Sequence, residues 1–185
     1  MRHSAVKTLI VGFGNVLLGD DGFGVEVIKR LACSELPPGV ETMEVGIGGV
    51  HFVLRLMEGF EAVIVVDAVR RGQPPGTLYV FTPGAADRGV HGGQSLDPHF
   101  AEPARAMQLA RALGFLPDKV TVLGCEPESC ELGISLSVAV DAVMDRAVEK
   151  IREMVGSDAQ GVKHVSSDAR ESDGDRGYRK AHRTR

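Results

Sequence analysis

Cysteine, aromatic residues and long apolar runs are all scarce in this chain, and each shortage excludes a class of protein. The three cysteines are an odd number, which fits a reducing cytoplasm better than a disulfide-linked secreted domain. No apolar run approaches the roughly 20 residues of a membrane-spanning helix. The formal net charge is −4, so the chain lacks the basic footprint of a nucleic-acid-binding protein. Composition therefore predicts a cytoplasmic protein that binds neither nucleic acid nor a membrane.

Most of the chain alternates between segments with the patterns of strands and of helices. Short strands that alternate with helices predict a mostly parallel sheet with right-handed crossovers. We therefore expect a single α/β domain over residues 1–155, a three-layer arrangement in which helices cover both faces of a twisted five-stranded sheet. The predicted strands are 8–13, 40–46, 61–67, 77–82 and 119–125, and the predicted helices are 21–33, 48–58, 99–114 and 136–155.

The two ends of the chain carry no pattern of a folded element. The first five residues lead directly into the first strand, which predicts that no secretory leader is present. Residues 156–185 are rich in Ser, Asp, Gly and Arg and have few large apolar side chains. Such a segment cannot bury enough apolar surface to offset its ordering entropy, so we expect a disordered, charged tail. A docking role for this tail remains the alternative.

Two adjacent carboxylates, Asp20 and Asp21, follow the first predicted strand across a glycine-rich turn. In open α/β sheets the carboxyl edge of the strands is where ligands bind. The dinucleotide fingerprint would require glycine at position 17, where Leu17 stands. The acidic pair therefore points to a cation. The alternative is that one or both aspartates cap the helix that follows, where the helix dipole favours negative charge.

Asp67 and His99 are the other candidates for this edge. Asp67 ends the apolar run 63–66, so it is either a crevice carboxylate or the cap of a helix or turn. His99 opens the apolar pattern of the third predicted helix, and His91 is its alternative in the preceding loop. Together with Asp21, these side chains would form an incomplete site suited to nickel, zinc, manganese or iron. We expect Asp21, Asp67 and His99 to converge at one end of the sheet, close enough to share one cation.

Nucleophilic catalysis has little support in the sequence. Cys125 and Cys130 are not spaced as in zinc or redox motifs, and Cys33 is predicted to be a small core residue of a helix. No histidine lies near any of them in sequence, and no G-x-S-x-G elbow is present.

Four motifs follow one another in residues 8–155. They are Gly12-Phe-Gly-Asn-Val-Leu-Leu-Gly-Asp-Asp-Gly-Phe-Gly24, Val63-Ile-Val-Val-Asp-Ala68, Pro75-Gly-Thr-Leu78, and Gly124-Cys-Glu-Pro-Glu-Ser129 with Gly133-Ile-Ser-Leu136. In this order they resemble the motifs of the hydrogenase maturation endopeptidases, which trim the C-terminal extension from the large subunit of nickel–iron hydrogenases. A fifth segment, Glu44-Val-Gly-Ile-Gly-Gly49, departs from the Asp-Gly-Gly-Thr that many members of that family carry where the substrate is thought to bind.

The resemblance implies a metal site formed by Asp21, Asp67 and His99, which would also carry the peptidase chemistry. It implies that nickel is supplied by the large-subunit precursor and that no organic cofactor is needed. We expect a monomer in preference to an obligate oligomer. Asp20 could orient a water molecule or cap a helix. The main alternative is a metal-sensing or metallochaperone-like binding module on the same fold, because fold does not settle function. A nucleotide-binding protein is disfavoured by Leu17.

Overall fold

The computed structural model describes residues 6–83 and 101–161. Its sheet has the order β2-β1-β3-β5-β4, in which β4 is an antiparallel edge strand and the other four strands are parallel. The mostly parallel five-stranded sheet is therefore confirmed, and each predicted strand boundary lies within one residue of the observed one. The strands are β1 (Thr8–Phe13), β2 (Val40–Gly46), β3 (Ala62–Ala68), β4 (Leu78–Phe81) and β5 (Lys119–Cys125).

Five helices lie on the two faces of this sheet, and three of them match single predicted helices. The predicted helix 136–155 is instead two helices, because Val143 donates its N–H to the carbonyl of Val140 at 3.2 Å, three residues back. The second of them continues to Gly161, six residues past the predicted end of the domain. The helices are α1 (Phe23–Ala32), α2 (Gly49–Leu56), α3 (Ala101–Ala112), α4 (Val138–Asp141) and α5 (Met144–Gly161).

Strands β1 and β3 form the centre of the sheet and are buried along their whole length. Side chains of a strand alternate between the two faces. Leu9 and Val11 therefore join the cluster under α2 and α3, whereas Ile10 and Ile64 join the cluster under α1 and α5. Cys33 does not belong to either cluster: it follows the last residue of α1 and is exposed, so the prediction of a core cysteine was wrong.

The N-terminal end of α1 lies directly on the carboxyl ends of β1 and β3. A Cβ atom added to Gly24 would lie 2.2 Å from the carbonyl oxygen of Val66 and 2.4 Å from that of Phe13. Only glycine allows the helix backbone to approach the strands so closely. This contact places the residues just before α1 at the carboxyl edge of the sheet.

The part of the chain that the structure describes contains no helix with both the length and the apolar character needed to span a bilayer.

Replacing Gly24 by alanine should destabilise the domain. The added methyl group must displace two backbone carbonyls, and overpacking of this kind costs about 1–3 kcal/mol or more. Urea unfolding followed by circular dichroism would measure the change. Gly156→Ala is the matched control, because no atom lies within 4 Å of the added Cβ in α5. It should stabilise the helix by about 0.5–1 kcal/mol. Equal stability of Gly24→Ala and wild type would contradict the proposed contact.

Candidate active site at the carboxyl edge of the sheet

The turn that follows β1 brings two buried carboxylates to the same place. Gly14 has a φ of +117°, and a Cβ atom there would lie 1.8 Å from the main-chain oxygen of Asp21 and 3.7 Å from Oδ1 of Asp67. The carboxylate of Asp21 accepts a hydrogen bond from the N–H of Asn15 at 2.8 Å. Asp21 is 7% exposed and Asp67 is 1% exposed. Both aspartates therefore border the Gly14–Asn15 turn.

Asp67 reaches this turn from within β3. The strand continues to Ala68, and no helix begins in residues 69–83. These two observations exclude the interpretation of Asp67 as a helix cap. Val63 and Val65 pack in the cluster under α2 and α3. Because strand side chains alternate, Asp67 lies on that same face of the sheet.

The third predicted ligand, His99, and its alternative, His91, both lie outside the described residues. Within residues 6–83 and 101–161, no three side chains of His, Cys, Asp or Glu are grouped closely enough to hold a metal ion. A complete three-residue metal site would therefore need a ligand from elsewhere. The convergence of all three predicted residues stays a prediction.

Asp20 has a different role from its neighbour. It is buried, and its Oδ2 accepts hydrogen bonds from the N–H groups of Glu128 at 2.8 Å and Ser129 at 3.1 Å. Its Oδ1 accepts a third, from the N–H of Ser137 at 2.6 Å. Neither the single 3-10 turn Gly19–Gly22 nor α1 has a side-chain cap. The helix-cap interpretation of Asp20 was therefore wrong: this carboxylate joins the turn before α1 to the segment after β5.

Glu126 is a fourth buried carboxylate at this edge, and the sequence analysis did not single it out. It accepts hydrogen bonds from the N–H groups of Arg71 at 2.8 Å and Gly72 at 3.1 Å, and from the hydroxyl of Tyr79. Burial by itself would raise the pKa of Glu126, but the bonds from Tyr79 and from backbone N–H groups outweigh it and lower that pKa. The sequence did contain a signal for Glu126. Like Asp67, it is a carboxylate at the carboxyl end of a predicted buried strand.

Cys125, at the carboxyl end of β5, is not placed to act as a nucleophile. Cys125 is buried at the end of β5. Burial, reinforced by the negative charges of Asp20 and Glu126, raises the pKa of this thiol to about 12. Since the thiolate is the reactive form, Cys125 stays protonated and inert at neutral pH.

The segment that departs from the family pattern lies beside the same turn. Gly46 has a φ of +64°, and its carbonyl accepts a hydrogen bond from the N–H of Gly14 at 3.1 Å. Glycine adopts this left-handed conformation without steric cost. Ile47, which stands where many family members have threonine, is exposed to solvent.

Comparison with known proteins identifies the class of protein to which this chain belongs. The sequence model of the family HycI, described as hydrogenase maturation protease, matches residues 25–154. In structure, the chain is similar to the hydrogenase maturating endopeptidase HybD from Escherichia coli, with a TM-score of 0.70 and 28% identity over 82% of this chain and 93% of that one.

Two relatives agree with this class. The hydrogenase expression/formation protein HupD of Rhodobacter capsulatus is 34% identical over 80% of this chain and 71% of its own. The hydrogenase 2 maturation protease of Escherichia coli is 31% identical over 79% of this chain and 88% of its own. The chain belongs to the hydrogenase maturation protease family.

Removing the carboxylate of Asp20 should destabilise the protein strongly. In Asp20→Ala, three backbone N–H groups lose their acceptor in part-buried surroundings, and each such loss costs about 1–3 kcal/mol. We therefore expect the free energy of unfolding to fall by at least about 3 kcal/mol in a denaturant titration. Asp118→Ala, which removes an exposed carboxylate just before β5, should change it little. Similar losses in the two variants would argue against the three-bond anchor.

Glu126 should make the stability of the protein depend on pH. A carboxylate whose pKa is lower in the folded than in the unfolded state stabilises the fold above the unfolded value, about 4.3, and loses that effect as the pH falls through the folded value. At pH 7, Glu126→Gln should be less stable by about 1–3 kcal/mol, because an amide N–H2 replaces an acceptor. The difference should shrink as the pH falls below about 4. Unfolding curves measured across this pH range would test this, with the exposed Glu128→Gln as control. A difference in unfolding free energy between wild type and Glu126→Gln that did not change with pH would contradict the prediction.

Proposed function

We propose that this protein is a cytoplasmic, monomeric endopeptidase that removes the C-terminal extension of a nickel-loaded hydrogenase large-subunit precursor. The observation that carries the proposal is that two buried carboxylates, Asp21 and Asp67, both border the Gly14–Asn15 turn. They come from different elements and lie where open α/β sheets bind ligands. The hydrogenase comes from the relatives, which are a hydrogenase expression/formation protein and a hydrogenase 2 maturation protease.

The proposed site consists of Asp21, Asp67 and His99. Support for the histidine comes from the direction of α3, whose residue Glu102 has its carbonyl oxygen 3.9 Å from a Cβ position at Gly49. Gly49 begins α2, just after the carboxyl end of β2, so α3 also begins near this edge. His99 precedes the first residue of α3 by two positions in the sequence.

Two carboxylates and one imidazole fit a borderline divalent cation and leave coordination positions for other groups. In this proposal nickel belongs to the precursor, so it reaches the protease as part of the substrate. Bound there, it would polarise the scissile carbonyl or activate a water molecule. The chain itself contributes Asp21 and Asp67 as buried oxygen donors and Asp20 as the anchor that holds the turn carrying Asp21.

The decisive experiment follows the size of a hydrogenase large-subunit precursor mixed with purified protease. Wild type should trim nickel-loaded precursor and leave nickel-free precursor intact, because in this proposal cleavage requires nickel to bind the three proposed ligands. Asp67→Asn and His99→Ala should each abolish trimming, since each removes one proposed donor. Cys125→Ala should retain it, because the buried thiol remains protonated.

Each outcome has a separate meaning. Equal cleavage of both precursors would show that cleavage does not depend on nickel. Loss of cleavage in a correctly folded Cys125→Ala variant would support Cys125 as the nucleophile. Binding of the nickel-loaded precursor without any cleavage would favour the metal-sensing or metallochaperone-like module instead. Circular dichroism of every variant separates loss of activity from loss of fold.

A further inference from the structure

Three large apolar side chains after β5 are almost completely exposed. Leu132 is 89% exposed, Ile134 is 84% exposed and Val138 is 87% exposed. Single exposed apolar residues are common on protein surfaces, but neighbouring ones mark interaction sites. These three lie within seven consecutive residues, and Leu17, which is also exposed, lies beside them. We call Leu17, Leu132, Ile134 and Val138 the apolar platform.

Backbone hydrogen bonds hold the platform in place. Gly133 donates its N–H to the carbonyl of Leu17 at 3.0 Å, and its own carbonyl accepts from the N–H of Gly19 at 2.8 Å. These bonds form a short parallel bridge between Leu18 and Gly133. At the other end, Ser137 caps α4 through its side chain, which accepts from the N–H of Val140. The exposed side chains therefore project from a hydrogen-bonded backbone.

The platform is built onto the candidate active site. The same Asp20 carboxylate that precedes Asp21 binds the N–H of Ser129 on one side of the platform and that of Ser137 on the other. Ile134 and Val138 also line, with Val16, a groove of about 510 Å³ between this segment and α1. A molecule seated on the platform would therefore lie next to the turn that holds Asp21.

The charges around the platform indicate what would bind there. Glu128 and Glu131 are exposed on the same segment, and neither forms an ion pair with another described residue. The cations close to this segment are already engaged. The side chain of Arg70 contacts Cys130, between these two glutamates. Arg30, which lines the groove, is paired with Asp141 at 2.7 Å and Asp145 at 3.0 Å. Complementary charges steer partners and fix their register. The platform thus fits an apolar segment flanked by lysine or arginine.

We infer that the apolar platform is the docking surface for the large-subunit precursor, which it binds through an apolar segment with basic flanks. This inference rests on the proposed function and adds to it the surface that selects the substrate. Docking would bury apolar side chains that solvent now surrounds, and it would hold the cleavage segment beside Asp21 and Asp67.

The test compares cleavage kinetics of wild type and of the double variant Leu132→Ser/Ile134→Ser on nickel-loaded precursor. The KM should rise at least about tenfold, since each of the two apolar side chains supports roughly such a factor in affinity when buried. The kcat should stay within about twofold, because neither side chain borders the Gly14 turn. The matched control is Met57→Ser/Leu113→Ser, which removes two exposed apolar side chains beyond the C-terminal ends of α2 and α3 and should leave both constants unchanged.

A second variant tests the charge that selects the partner. Glu128→Gln/Glu131→Gln should raise KM and weaken its dependence on salt, since fewer charges then attract the basic flanks. Unchanged KM and salt dependence in this variant would overturn the basic-flank part of the inference.

The remaining outcomes separate docking from catalysis. Normal KM in Leu132→Ser/Ile134→Ser, with active wild type, would overturn the docking surface and leave the proposed function standing. If wild type cleaved no precursor, the proposed function would fail and the assigned partner with it. If sedimentation showed that wild type dimerises and the platform variant does not, the occupant would be a second copy of this chain, which also contradicts the inference.

Discussion

The candidate site depends on the three hydrogen bonds that the carboxylate of Asp20 accepts from backbone N–H groups. These three donors lie 108, 109 and 117 residues after Asp20 in the chain. Hydrogen bonds to an ionised acceptor are among the stronger ones in proteins, and burial makes them costly to lose. Through them the turn before α1 and the segment after β5 form one unit at the carboxyl edge of the sheet. The position of Asp21 and the shape of the apolar platform both follow from this unit.

Among the described residues, four carboxylates at this edge are buried. Asp20 and Glu126 each accept several hydrogen bonds from loop backbone, which satisfies these polar groups and holds the loops together. Asp21 and Asp67 border the Gly14–Asn15 turn. The first two therefore join the loops around this edge, and the other two lie at the turn between β1 and α1.

Glycine makes this arrangement sterically possible. At Gly14 and Gly24, a Cβ atom would collide with backbone carbonyls of the elements that carry or support the aspartates. The glycines of the first motif can therefore be understood from packing alone: they let α1 and its preceding turn lie against the ends of β1 and β3. The same close approach that orders the core also brings Asp67 within reach of the turn.

The strands could be predicted almost to the residue because buried parallel strands appear as uninterrupted apolar runs, such as 63–66. The position of Asp67 near the carboxyl end of a strand could be predicted for the same reason. Its burial could not, because β3 continues past it to the buried Ala68. The break between α4 and α5 could not, because the helical apolar pattern continues across it and only the local turn at Val143 interrupts it. Glu126 was missed because its partners, in the loop after β3 and in β4, lie far away in sequence.

By itself, the sequence determined the sheet, the edge at which the acidic residues gather and the family resemblance, since these depend on local patterns and on short motifs. Only the tertiary structure decided which of two adjacent aspartates anchors the loops and which borders the turn. Asp20 and Asp21 have the same side chain and nearly the same position in the chain, so no local rule separates them. Their roles differ because the backbone N–H groups that face them belong to different segments, and folding alone brings those segments together.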